Sequence, residues 1–154
     1  MSSELPRSGR LAAIDYGTVR LGVAITDPDQ RLSSPLENYT RRGEAADAAW
    51  LTDLVKQERI TGIVVGLPIH VSGEESQKSR EARKFGQWVQ ERTGLPVIFF
   101  DERYTSAQAE ALLLDAELTK KRRKERLDKL AAQILLAAYL ESSRSASDKP
   151  MPLD

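Results

Sequence analysis

Leu11-Ala12-Ala13-Ile14-Asp15-Tyr16-Gly17-Thr18-Val19-Arg20-Leu21-Gly22-Val23-Ala24-Ile25-Thr26-Asp27 decides how the rest of the chain is read. An apolar run ends on an acid, a turn containing Gly17 follows, and a second apolar run ends on another acid. Apolar runs this short, bounded by turn residues, read as strands buried in a sheet. So few residues join them that they pair antiparallel, because a parallel crossover needs about a dozen residues or more. Asp15 is thereby placed at the end of a core strand, where a carboxylate needs a cation, a metal or hydrogen-bond donors. Two readings stay open: a metal ligand, or an acceptor of N–H groups from its own turn.

Outward from this hairpin, Asp27-Pro28-Asp29-Gln30 reads as a turn, in which Asp27 needs no role beyond local hydrogen bonding. Arg31 to Tyr39 reads as a third strand at an edge of the sheet, since Pro35 interrupts it and edges tolerate proline. Glu44 to Glu58 has helical periodicity through Ala48, Leu51, Leu54 and Val55. The unbroken apolar run Ile60 to Pro68 predicts a strand covered on both faces. Its end, Gly66-Leu67-Pro68, lets backbone come close to whatever lies at that edge. His70 falls in the following loop and is the only histidine of the chain, read as a solvated residue. A second long helix is expected over Glu75 to Thr93, stopped by Gly94-Leu95-Pro96.

Val97 to Arg103 predicts a fifth strand ending in the adjacent acids Asp101 and Glu102. Strand alternation sends these two to opposite faces, so only one can share a cluster with Asp15. Tyr104-Thr105-Ser106 supplies caps for a short helix, Ala107 to Leu114. Lys120-Lys121-Arg122-Arg123-Lys124-Glu125-Arg126 then places six cations in seven residues. That run is either a solvated loop and helix start or a grip on a polyanion. The final helix, Arg126 to Ser142, carries Asp128 at the flank of its apolar face. Asp128 is a candidate third carboxylate, or an acid interacting with the helix dipole. The expected organisation is a disordered arm over 1–9, one domain over 10–142 and a disordered tail over 143–154.

Composition narrows the chemistry. The chain has 154 residues, 40% hydrophobic and 30% charged, in the range of one globular domain. There is no cysteine, which excludes disulfides, thiolate sites and a Cys nucleophile. A single histidine excludes a multi-histidine zinc site, so any metal would be held by oxygen, favouring Mg²⁺ or Mn²⁺. No apolar run approaches the ~20 residues of a membrane span, and no secretory signal is evident. A cytoplasmic protein with no membrane partner is expected. The formal net charge is zero, so affinity for a polyanion must come from local clusters.

The element order β-β-β-α-β-α-β-α predicts an α/β fold: a five-stranded mixed sheet with helices on both faces. Ligands of such sheets lie beyond the carboxyl ends of the strands. Asp15, the Gly66-Leu67-Pro68 turn and the Asp101-Glu102 pair all fall at such ends, and Asp128 can reach them from a covering helix. Converging carboxylates repel unless cations neutralise them. Two divalent ions about 3.5–4 Å apart would do so and would promote phosphoryl displacement.

Four segments resemble the YqgF/RuvX-like family of the RNase H-like superfamily, over nearly the whole chain from about Arg10 to Leu140. Ile14-Asp15-Tyr16-Gly17-Thr18-Val19-Arg20-Leu21-Gly22-Val23-Ala24 is similar to its first motif, D-x-G-x-x-R-x-G-V-A. Val64-Val65-Gly66-Leu67-Pro68 with Gly73 and Phe85 looks like its second, and Asp101-Glu102-Arg103-Tyr104-Thr105-Ser106 its third. Asp128-Lys129-Leu130-Ala131-Ala132, followed by Ile134-Leu135, matches its final helix. Ser106 stands where a second Thr is usual, and Thr26 where a Ser is common before Asp27. The resemblance implies an RNase H-like fold and a nuclease using Mg²⁺ or Mn²⁺, two ions. It implies Asp15, Glu102 and Asp128 as catalytic, metal-binding carboxylates, with Asp101 in reserve for the middle position. It implies nucleic-acid contacts from Arg20 and Arg103, to which the basic run Lys120, Lys121, Arg122, Arg123 and Lys124 is added as a phosphate grip. The expected partner is RNA, through processing of the 5′ end of pre-16S rRNA, ahead of branched DNA as a Holliday junction resolvase. The chain is expected to be a monomer or weak homodimer. Two rivals are a non-catalytic nucleic-acid- or transcription-factor-binding module and an actin-like phosphotransferase. The latter closes two such domains around ATP, and this chain supplies one.

Overall fold

The computed structural model describes residues 5–68, 76–102 and 130–143. Five strands form one sheet: β1 (Arg10–Asp15), β2 (Arg20–Thr26), β3 (Ser33–Thr40), β4 (Ile60–Leu67) and β5 (Val97–Asp101). Helix α1 (Glu44–Gln57) precedes β4, and α2 (Gln77–Thr93) links β4 to β5. Residues 130–143 form a further helical segment. The strand order is β3-β2-β1-β4-β5. Strands β1, β2 and β3 pair antiparallel, whereas β4 pairs parallel with β1 and with β5. The mixed five-stranded sheet expected from the sequence is therefore the architecture of the chain.

Alternation along the strands splits the apolar residues into two cores. Ala12, Ile14, Ile63 and Val65 face α1 and α2, packing with Leu51, Phe85 and Val89. Leu11, Ala13, Ala24 and Val64 face the other way, against Ala132, Leu135, Leu136 and Leu140. Both faces of β1 and β4 are thus covered, which is why their sequences are apolar without a polar alternate. Strand β3 lies at the edge, as Pro35 requires, and the ladder slips between Val23 and Ala24 where Pro35 joins it.

The predicted helices and strands differ from the observed ones mainly at their ends, where local hydrogen bonds decide. Helix α2 begins at Gln77 because the Ser76 side chain accepts from Ser79 N–H at 3.1 Å. Asp27 is a turn residue, its Oδ1 accepting from Arg31 and Leu32 N–H at 2.8 and 2.9 Å. The Leu32 bond leads in holding this carboxyl below the usual aspartate range. Residues 5–9, part of the arm expected to be disordered, are tied to the domain. Leu5 is buried in the second core, and the Gln30 amide donates to the carbonyls of Pro6 and Gly9. His70 and the short helix expected over Ala107 to Leu114 lie outside the described residues.

Gly86 shows how closely α2 approaches the sheet. A Cβ there would sit 2.5 Å from the Phe99 ring of β5. Gly86→Ala would gain about 1 kcal/mol of helix propensity, but Phe99 must shift to admit it. Overpacking costs about 1–3 kcal/mol, and a net loss of stability is expected. Denaturant unfolding checks this: a midpoint at or above that of the parent would show that the ring yields freely.

Candidate active site at the carboxyl edge of the sheet

Three strands end side by side at one edge. The β1–β4 ladder runs to the pair Ile14–Val65, so Asp15 comes level with Gly66 one step further on. On the other side of β4, Gly66 pairs with Phe100 and Leu67 with Asp101. Asp15 belongs to the same alternate set as Leu11 and Ala13, which places it on the face packed by the 130–143 helix. Glu102 follows Ile98 and Phe100, which border that same core, whereas Asp101 follows Val97 and Phe99 on the opposite face.

Gly66 is what admits Glu102 to this face. The Glu102 carboxylate and its methylene lie where a Cβ of residue 66 would be. Any side chain at position 66 would displace the acid, so the glycine serves close approach here. Asp15 and Glu102 are thereby brought to one face, at the ends of the strands that flank β4, and Asp101 leaves the opposite face. Both acids are half-buried and each has interactions within the protein. Oxygen-only donors of this kind suit a hard divalent cation, and Gly66 leaves room for one of them. Among the described residues no group of three or more acids or histidines forms a metal cluster. Asp128, Arg103 and the run Lys120 to Lys124 lie outside the described residues. Arg20, at the start of β2, is half-buried and engaged within the protein.

A polar network not anticipated from the sequence supports the turn after Asp15. Asp47, in the first turn of α1, is only 1% exposed. It accepts from the Tyr39 hydroxyl at 2.8 Å, from Arg42 N–H at 2.8 Å and from Arg41 Nε at 3.2 Å. Arg41 in turn donates to the Gly17 carbonyl at 3.4 Å, and its guanidinium lies 5.6 Å from the centre of the Tyr16 ring. The available signal was an acid at position 47 in helical register with the buried Leu51 and Leu54, where an apolar residue would be expected.

Burial pushes the Asp47 carboxyl up, but the Arg42 N–H, the Tyr39 hydroxyl and Arg41 together outweigh it and hold it below the usual aspartate range. A carboxyl depressed on folding stabilises the native state above its unfolded value of about 3.9, and that contribution fades as pH falls below it. Parent and Asp47→Asn stabilities should therefore differ most near neutral pH and converge in strong acid. Urea unfolding at pH 7, 5 and 3 tests this, and a gap no smaller at pH 3 than at pH 7 would contradict it.

Known proteins resemble this chain along most of its length. The RuvX family, described as a Holliday junction resolvase family, matches residues 9–142. A protein of Rhodopirellula baltica named "Putative pre-16S rRNA nuclease" is 52% identical over 139 residues, covering 90% of this chain and 80% of the relative. A protein of the same name from Koribacter versatilis is 39% identical and covers 94% of each chain. Among solved structures, Thermus thermophilus RuvC in complex with a Holliday junction substrate aligns with a TM-score of 0.58. The sequences are 16% identical, and the match covers 92% of this chain and 99% of that one. At that identity the likeness is one of fold.

Proposed function

The chain belongs to the RuvX family, and from that premise we propose that it is a nuclease that hydrolyses phosphodiester bonds with the help of divalent metal ions. Its substrate in this reading is the 5′ region of pre-16S rRNA, in ribosome biogenesis in the cytoplasm. The observation that carries the proposal is the Glu102 carboxylate lying over Gly66, on the face and at the edge where β1 delivers Asp15. Asp15, Glu102 and Asp128 would hold Mg²⁺ or Mn²⁺, two ions, with Asp101 left out by its facing. When bound, such ions supply charge neutralisation and Lewis acidity to the displacement at phosphorus. The protein contributes rigidity: both described acids stand at the ends of paired strands, so little reorganisation is needed to grip a cation. Arg20 and Arg103 orient the phosphate, for which a forked guanidinium is suited. Lys120, Lys121, Arg122, Arg123 and Lys124 hold the neighbouring polynucleotide backbone.

A second reading, cleavage of four-way DNA junctions, is favoured by the family description. A symmetric junction cutter needs two active sites and therefore a dimer, whereas an RNA processor can act as the monomer or weak homodimer proposed here. The deciding experiment offers the purified protein a precursor rRNA fragment and a four-way junction in Mn²⁺. Cleavage of the fragment is expected. Cleavage of the junction alone would favour the resolvase, and cleavage of neither, with retained binding, a non-catalytic module.

Asp15→Asn and Glu102→Gln should each reduce cleavage more than about a hundredfold, the effect of about 3 kcal/mol in transition-state stabilisation. Circular dichroism and Tm should stay close to the parent, because each change removes charge and little volume. Retained activity in either variant would remove that residue from the metal site. Neutral replacements at Lys120 to Lys124 should weaken nucleic-acid binding and flatten its salt dependence. On a single strand the log–log slope should fall by about 0.7 for each phosphate that is no longer neutralised. Fluorescence anisotropy over a salt series measures this, and an unchanged slope would return the run to a solvated surface.

A further inference from the structure

Tyr16 follows Asp15 directly but leaves the opposite face of the sheet, toward α1 and α2. There it borders a cavity of about 430 Å³ that the proposed cleavage site does not use. One wall is an aromatic shelf: Tyr16 and Phe85 have ring centres 5.0 Å apart, and Phe85 and Trp88 5.7 Å. Two cations, Arg41 and Lys84, line the same space, and Glu44 and Glu81 supply acceptors at its border. Asp47 fixes Arg41 on one side, so its guanidinium is presented in one place rather than left to wander. The indole Nε1 of Trp88 is buried with no acceptor among the described residues. An orphaned donor costs stability, and what the position gains is an aromatic face at the cavity wall.

These groups match the parts of one nucleotide. Aromatic faces stack bases without regard to sequence, guanidinium and ammonium groups bind phosphate, and carboxylates accept from the amino and imino groups of a base edge. A volume of this size lies within the range of small-ligand sites. Only an unpaired base can offer its face, since paired bases are already stacked. We propose that this groove binds one unpaired nucleotide of the polynucleotide substrate, next to the bond cleaved at the Asp15 edge. The proposal rests on the nuclease reading for its ligand, and β1 supplies the link: consecutive residues of one strand end serve the two faces. A substrate strand crossing the edge of the sheet at Asp15 would carry its neighbouring nucleotide into the groove.

Binding without cleavage tests the groove separately from the nuclease activity. The chain has two tryptophans, so Trp50→Phe leaves Trp88 as the sole indole. In Ca²⁺, a single-stranded RNA 12-mer should quench Trp88 fluorescence, whereas a blunt duplex of the same sequence should not. Adenosine monophosphate is the control for a free nucleotide. Quenching by it at the concentrations that suffice for the 12-mer would overturn assignment of the groove to the substrate strand.

In the otherwise unaltered chain, Lys84→Glu and Trp88→Leu should each weaken binding of the labelled 12-mer about five- to tenfold, with Trp88→Phe restoring most of the Trp88→Leu loss. In cleavage assays the loss should fall mainly on KM. Should Lys84→Glu and Trp88→Leu bind like the parent while Asp15→Asn still loses cleavage, the groove assignment is wrong and the nuclease reading stands. Quenching and variant effects as described, in a protein that cleaves no polynucleotide, would sink the nuclease reading and leave a nucleotide-binding groove.

Discussion

Successive side chains of a strand leave opposite faces of a sheet, and the organisation of this protein depends on that constraint at β1. Leu11 and Ala13 enter the core under the 130–143 helix, while Ala12 and Ile14 enter the core under α1 and α2. Carried past the end of the strand, the same alternation delivers Asp15 to one side and Tyr16 to the other. A single residue of slip in the β1–β4 register would exchange the two faces, taking the carboxylate away from Glu102. Covering both faces makes such a slip expensive, because each set of side chains would have to repack against a different helix layer.

The charged groups at this edge are held by quite different means. Glu102 occupies space that exists because residue 66 has no side chain, so its position depends on an absence. Arg41 is held by direct bonds, through the buried acid Asp47 of α1, which also takes the Tyr39 hydroxyl and the Arg42 N–H. The first arrangement brings a carboxylate to the sheet edge by making room for it. The second satisfies its acid completely and turns it into a support for the turn that follows Asp15.

Much of this is legible in the chain. The hairpin from Leu11 to Asp27, the edge character imposed by Pro35 and the doubly covered strand from Ile60 follow from apolar runs and turn residues, and all three are in the structure. The family motifs point to Asp15, Asp128 and one of the adjacent acids Asp101 and Glu102 as candidate site residues without reference to their neighbours in space. The position of Asp47 is not legible as a network, because its partners Tyr39, Arg41 and Arg42 lie in β3 and the connection after it, and the helix pattern marks only an acid in register with Leu51 and Leu54. The anchoring of Leu5 escapes the sequence for a similar reason: Pro6 and Gly9 look like a free arm until the Gln30 side chain is brought to their carbonyls.

Sequence alone determined the mixed sheet, the family and the acids that compete for its carboxyl edge, since periodicity, turn chemistry and motif spacing are written locally. Tertiary structure separated Asp101 from Glu102 in space: alternation sends the two acids to opposite faces, and only the pairing of β5 with β4 puts Glu102 over Gly66. It also decided that Tyr16, Arg41, Lys84 and Trp88 share one groove. The physical reason is the same in both cases. A sequence states which groups a chain carries, but their distance from one another is set by strand register and by which helix packs on which face.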